Sequence, residues 1–92
     1  MDATHNLKLI DGEFTPAEAR KMILDLVSSK INYHAMEAFS IRERFNGDVA
    51  YSEKRIEELK KARSCLEDFI NQASDNGLNL KVESVINIAF SK

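Results

Sequence analysis

The side chains that could do chemistry are few and dispersed. His34 and Glu37 stand one helical turn apart, the spacing of two metal ligands or of an acid–base pair. A metal needs three or four converging donors. The only other histidine, His5, lies in the polar N-terminal stretch, and the single cysteine, Cys65, falls on a different amphipathic segment. His34 therefore reads better as a hydrogen-bonded, partly buried histidine than as a ligand. Ser28, Ser29, Ser40 and Ser64 come without a G-x-S-x-G elbow or a paired base, and Ser28 and Ser29 suit close helix packing. The three glycines, at 12, 47 and 77, are too scattered to cradle a phosphate. Glu43, Asp48, Glu57, Glu58 and Glu67 are interleaved with Lys and Arg, the pattern of a solvated face. No enzyme, metal or cofactor is expected from these residues.

Two basic groups offer contacts rather than catalysis. Arg42-Glu43-Arg44-Phe45-Asn46-Gly47 sets an aromatic among arginines, a composition found in interface hot spots and in single-strand nucleic-acid contacts. The alternative is that Phe45 closes a hairpin while the arginines pair with Glu43 and Asp48. Lys54-Arg55 with Lys60, Lys61 and Arg63 could touch phosphate, but Glu53, Glu57, Glu58 and Glu67 intervene. With 13 basic against 15 acidic residues, net charge −2, the whole chain is no polyanion binder.

These residues must be carried by helices. Thr15, Pro16 and Glu18 write out a helix start, with a T-x-x-E capping box and proline at the first helical position. The helix is expected over about 15–39, or on to 45 if the S-x-x-E pattern at Ser40 does not restart it. Leu24, Val27, Ile31, His34, Ala38, Ile41 and Phe45 form one seam at 3-4 spacing, suited to a partner helix. Met22, Leu26, Tyr33 and Met36 lie away from that seam, so the helix must bury a second flank. A second helix is expected over about 52–75, capped by Ser52, with a seam of Ile56, Leu59, Ala62, Leu66, Phe69 and Ala73 and a stop at Asn76-Gly77.

The chain ends change period. Residues 6–10 alternate as a short strand, with Asp11-Gly12 as a turn into the helix. From 78 to 90 the period is two, with Leu78, Leu80, Val82, Ile86, Ile88 and Phe90 on one face. Thirteen extended residues reach roughly 43 Å and a 25-residue helix about 37 Å, so the strand could run the length of the hairpin. The expected fold is α+β in the order β-α-α-β. It is a single domain, an antiparallel helical hairpin packed on a two-stranded antiparallel sheet formed by the chain ends. Such a sheet has two open edges, which favours a homodimer by strand-to-strand or helix-to-helix association; the alternative is a monomer whose edges are blunted by Lys81, Glu83 and Lys92.

The remaining bounds are broad. An apolar fraction of 43% and a charged fraction of 30% are those of an ordinary globular domain. No apolar run nears ~18 residues, the N-terminus lacks a signal-peptide core, and one cysteine cannot close a disulfide on its own. A cytoplasmic protein without membrane contact is expected.

The stretches DGEFTPAEA, SKINYHAMEAFS and IRERFNG resemble a family of short bacterial proteins of unknown function. That family shares a D-G-x-F-S/T-P opening, an S-K-I-x-F/Y-H centre and an F-S-x-x-E-R-F-G tip. The likeness covers about 11–47, and here Asn46 separates Phe45 from Gly47. It implies no activity, cofactor or substrate, but it marks Lys30, Tyr33, His34, Arg42, Glu43, Arg44 and Phe45 as a partner-binding patch. The expected function is protein–protein interaction or assembly, through self-association or an unidentified protein partner. The alternative is a nucleic-acid accessory factor using the basic residues of the tip and second helix.

Overall fold

A computed structural model describes residues 3–45 and 47–91, except for the side chain of Phe45. The order is β1 (Thr4–Phe14), α1 (Pro16–Phe45), α2 (Ala50–Asp75) and β2 (Leu80–Ala89). The terminal strands pair antiparallel as a two-stranded sheet, and the helices form an antiparallel hairpin. The fold is α+β, as the sequence pattern predicts.

The capping box at the start of α1 forms in full. Glu18 N–H donates to Thr15 Oγ1 at 3.2 Å, and Thr15 N–H donates to Glu18 Oε1 at 3.0 Å. Two orphan donors of the first turn are thus satisfied by the side chains four residues of sequence supply. The carboxyl of Glu18 is held below its ordinary value, first by the Thr15 backbone N–H and then by its side chain. The helix does not break at Ser40, because Ile41 stays half-buried on the seam and carries the chain on to Phe45.

Four cross-links join the two helices: Arg20 with Asn71, Ser28 with Arg63 at 3.4 Å, Glu37 with Ser52 at 2.7 Å, and Arg42 with Glu53. The first turn of α2 therefore meets α1 beside Glu37, and the last turn of α1 runs beyond it. The return is closed by Gly47 N–H on the carbonyl of Ile41 at 3.5 Å. Ser52 is not the cap of α2. The helix opens earlier, at Ala50, whose N–H donates to Asp48 Oδ1 at 2.8 Å, and the Ser52 hydroxyl is spent on Glu37 instead.

The α1 seam is the expected one: Ile31, His34 and Ala38 are buried, with Leu24, Val27 and Ile41 half-buried. The α2 seam differs by one position. Ser52, Ile70 and Ala73 are buried while Phe69 is 61% exposed and Ala62 is also exposed. The facing stripe runs Ser52, Ile56, Leu59, Arg63, Leu66, Ile70, Ala73, a strict alternation of fours and threes. Arg63 is half-buried in this stripe and its guanidinium donates to the Ser28 hydroxyl. At the far end, Gly77 N–H to the Ser74 carbonyl and Leu78 N–H to the Ala73 carbonyl make a Schellman stop. Gly77 takes φ +67°, which glycine adopts without a Cβ penalty.

In β1 the strand continues through Asp11 and Gly12, which pair with Glu83 and Val82 rather than turning. The chain reaches Thr15 without a turn because β1 runs straight into the helix cap. A bulge at Leu9, between the pairs Lys8–Val85 and Ile10–Ser84, places Leu7 and Ile10 on one face despite their odd spacing. That face carries Phe14, Ile10 and Leu7 with Leu80, Val82, Ile86 and Ile88. The other carries Glu13, Asp11, Lys8 and Asn6 with Lys81, Glu83 and Asn87.

The sheet lies on the helices only near their shared end. Leu80 and Val82 face Ile23, Leu66 and Ile70 across a shallow groove, and Ile10 lies beside Met22 and Leu26. The far half of the same apolar face, from Leu7 and Ile86 onward, is exposed. The molecule measures 50 × 38 × 14 Å, with a radius of gyration of 16.7 Å. A compact chain of this length would have about 12 Å. The strand is long enough to follow the hairpin, but the sheet diverges from it, and of the second flank of α1 only Met22 is half-buried while Leu26, Tyr33 and Met36 stay exposed.

Candidate functional site

The sequence-marked residues fall on the distal half of α1 and do not make one uniform surface. His34 is 4% exposed, on the face toward α2, whereas Lys30, Tyr33, Arg42, Glu43 and Arg44 are exposed. The ammonium of Lys30 sits 4.6 Å from the centre of the Tyr33 ring, a cation–π contact at the surface. Arg42 pairs with Glu53 across the hairpin rather than with Glu43 or Asp48. The side chain of Phe45 lies outside the described residues.

Behind this surface is a polar node that sequence spacing half revealed. Glu37 Oε1 accepts the Ser52 hydroxyl at 2.7 Å and lies 3.3 Å from His34 Nδ1. Ser52 is 2% exposed, so the carboxylate satisfies a hydroxyl that the interior would otherwise strand. The Glu37 carboxyl is held below its ordinary value, first by the Ser52 hydrogen bond and then by that of His34. Tyr33 and Tyr51 meet the imidazole edge-on, at centroid distances of 5.3 and 6.4 Å. The other ring nitrogen, Nε2, is buried without a protein partner among the described residues.

The order of groups in this node decides its chemistry. A nucleophilic triad places imidazole between hydroxyl and carboxylate, so that the ring can take the hydroxyl proton. Here the carboxylate stands between the other two, and Ser52 donates to Glu37 instead of to His34. The arrangement ties α1 to α2. Among the described residues, no three His, Cys, Asp or Glu side chains gather as a metal site requires. Cys65 is an exposed free thiol on α2. His34 and Glu37 were legible as a turn-spaced pair. Ser52 was missed because its position before an acidic first turn is also that of a helix cap.

The larger feature extends from Tyr33, whose ring edges the node, out over the surface. Tyr33, Met36 and Phe39 on α1, and Leu7, Ile86, Ile88 and Phe90 on the sheet, are large apolar side chains left in solvent, with Met36 at 73% and Phe90 at 76% exposure. Among the described residues no helix is long and apolar enough to cross a membrane. The chain matches no protein-family model, no curated protein and no solved structure. The likeness of residues 11–47 to short bacterial proteins therefore rests on its motifs alone.

Proposed function

We propose that this protein is a non-enzymatic interaction or assembly module that works by associating with a second copy of itself. One observation carries the reading: the chain exposes far more surface than a folded monomer of its mass. Its accessible surface is 7349 Å² at 10.5 kDa, where a compact monomer would have about 5,400 Å². The excess is roughly 1,900 Å² per chain, or about 3,800 Å² for a pair, the size of an obligate homodimer interface. Part of that surface is apolar, at Tyr33 and Met36 on α1 and at Ile86 and Ile88 on the sheet, and large apolar groups left in water together support an interaction site. The node at Glu37 supports the reading, because it anchors the helix hairpin that presents the surface and activates no nucleophile.

A nucleic-acid accessory role through Arg42, Arg44, Lys54, Lys60 and Lys61 has less support. Arg42 is engaged by Glu53, and the neighbouring Arg55 by Glu58 at 3.1 Å. Denaturation at several protein concentrations tests the proposed pairing. A pair that dissociates on unfolding shows a midpoint that rises with concentration. A midpoint independent of concentration over two decades would remove the proposal.

A further inference from the structure

Two open apolar strips lie on the same chain, and they match in length. On α1, the strip from Leu26 through Tyr33 to Met36 spans about 15 Å at the helical rise. Ile86 and Ile88 on β2, with Phe90 just past its end, where its N–H donates to the Ala3 carbonyl, span about 13 Å. The strip on α1 continues the flank that β1 covers at Met22, so the helix already takes a sheet face at one end and lacks one at the other. The sheet likewise rests on a helix surface at Leu80 and Val82 and lacks one from Ile86 outward. Each open strip thus needs what the other provides. A chain cannot satisfy both by itself here, because its own sheet diverges from its own distal helix.

We infer that the second copy is seated reciprocally: the free half of each sheet, at Ile86, Ile88 and Phe90, lies on the α1 strip at Tyr33 and Met36 of the other chain. The inference rests on the self-association proposed above and specifies its contacts. The arrangement is isologous, closes on itself and covers both strips with one operation. Pairing strand edge to strand edge would leave both apolar strips in water, and packing the two helix strips together would leave both sheets bare. The far half of each two-stranded sheet, which is marginal as an isolated hairpin in water, gains a helical support. The five positions themselves carry no acid or base, and the Lys30 ammonium over the Tyr33 ring moves to the rim on its flexible stem, where water still reaches it.

Cysteine cross-linking between single variants reads the seating directly. Met36→Cys and Ile88→Cys, each with Cys65→Ser, are made separately, mixed, unfolded and refolded together, and treated with a short bismaleimide. The expected major product joins one Met36→Cys chain to one Ile88→Cys chain, distinguished by mass from either homodimeric product. A predominant product joining two Met36→Cys chains, or two Ile88→Cys chains, would overturn the seating in favour of helix-on-helix or sheet-on-sheet contact. Absence of product from a mixture that still sediments as a pair would also overturn it while leaving self-association standing. A mixture that sediments as single chains would remove both. Ile88→Glu, a change on an exposed position of the monomer, is expected to raise the dissociation constant at least about a hundredfold, since it enters the contact twice. Unchanged affinity of a folded Ile88→Glu chain would contradict the inference.

Discussion

The register of α2 gives the sharpest test of the packing, because two adjacent residues exchange roles between pattern and structure. Ile70 is 1% exposed and faces Ile23, Leu66, Leu80 and Val82, so it joins both helices to the sheet. Truncating Ile70→Ala deletes three carbons at about 0.8 kcal/mol each and leaves a cavity, for a total near 3 kcal/mol within a range of about 2–5. Phe69 is larger, but more than half of it is already in solvent, so Phe69→Ala should cost only about 1 kcal/mol. Urea unfolding followed by far-UV circular dichroism, at one fixed protein concentration, compares the two. The expected result is a lower midpoint for Ile70→Ala at an unchanged slope, and a much smaller shift for Phe69→Ala. A domain of this size holds only about 5–10 kcal/mol in all, so Ile70→Val, at about 0.5–1.5 kcal/mol, supplies a milder comparison. The reasoning is refuted if Phe69→Ala costs as much as Ile70→Ala while Ile70→Val is neutral.

Three further outcomes follow from the caps and the polar node. Ser52→Ala removes the largest influence holding the Glu37 carboxyl low, so its titration, followed by carboxyl carbon NMR, should move up toward 4.5; no movement would mean the hydrogen bond is absent in solution. Glu18 and Glu37 both titrate below 4.5 when folded, so their stabilisation is complete above that value and is lost as pH falls through the folded values. Glu18→Gln should therefore flatten part of the acid-side loss of melting temperature, and an unaltered pH profile would contradict the capping-box geometry. Gly77→Ala forces a Cβ into the left-handed region at φ +67° and should cost about 1–2 kcal/mol, with Gly77→Asn costing less; equal stability of all three would show that the Schellman stop is dispensable.

Much of the fold is legible in the sequence because its signals are local and agree. Thr15, Pro16 and Glu18 mark the start of α1, Asn76 and Gly77 mark the end of α2, and the change from period 3.6 to period 2 after Gly77 marks β2. The misreadings come where one local signal serves two structures. Asp11-Gly12 is a turn dipeptide, yet across from Glu83 and Val82 it continues the strand. The bulge at Leu9 that keeps Leu7 and Ile10 on one face has no composition of its own. Phe69 and Ile70 are both apolar at helical spacing, and only the cross-links at Asn71, Arg63 and Ser52 decide which of them faces α1.

The site is less legible than the fold for a related reason. Ser52, Glu37 and His34 come together through the register of two helices, which depends on where α2 begins. The chain enters α2 with the Ala50 N–H on Asp48 Oδ1, ahead of the Ser52 that the pattern marks as the cap. The greasy second flank of α1 is visible in Met22, Leu26, Tyr33 and Met36. How far the chain's own sheet covers it is fixed by the angle between sheet and hairpin, which no short pattern encodes.

The central claim is that a second copy buries the apolar surface this chain leaves open. Sedimentation equilibrium at micromolar concentration measures it without a probe or a mutation. The account predicts a mass twice the 10.5 kDa of the chain, falling toward the single-chain value only on dilution. A mass of one chain at every concentration up to a hundred-micromolar regime would contradict it.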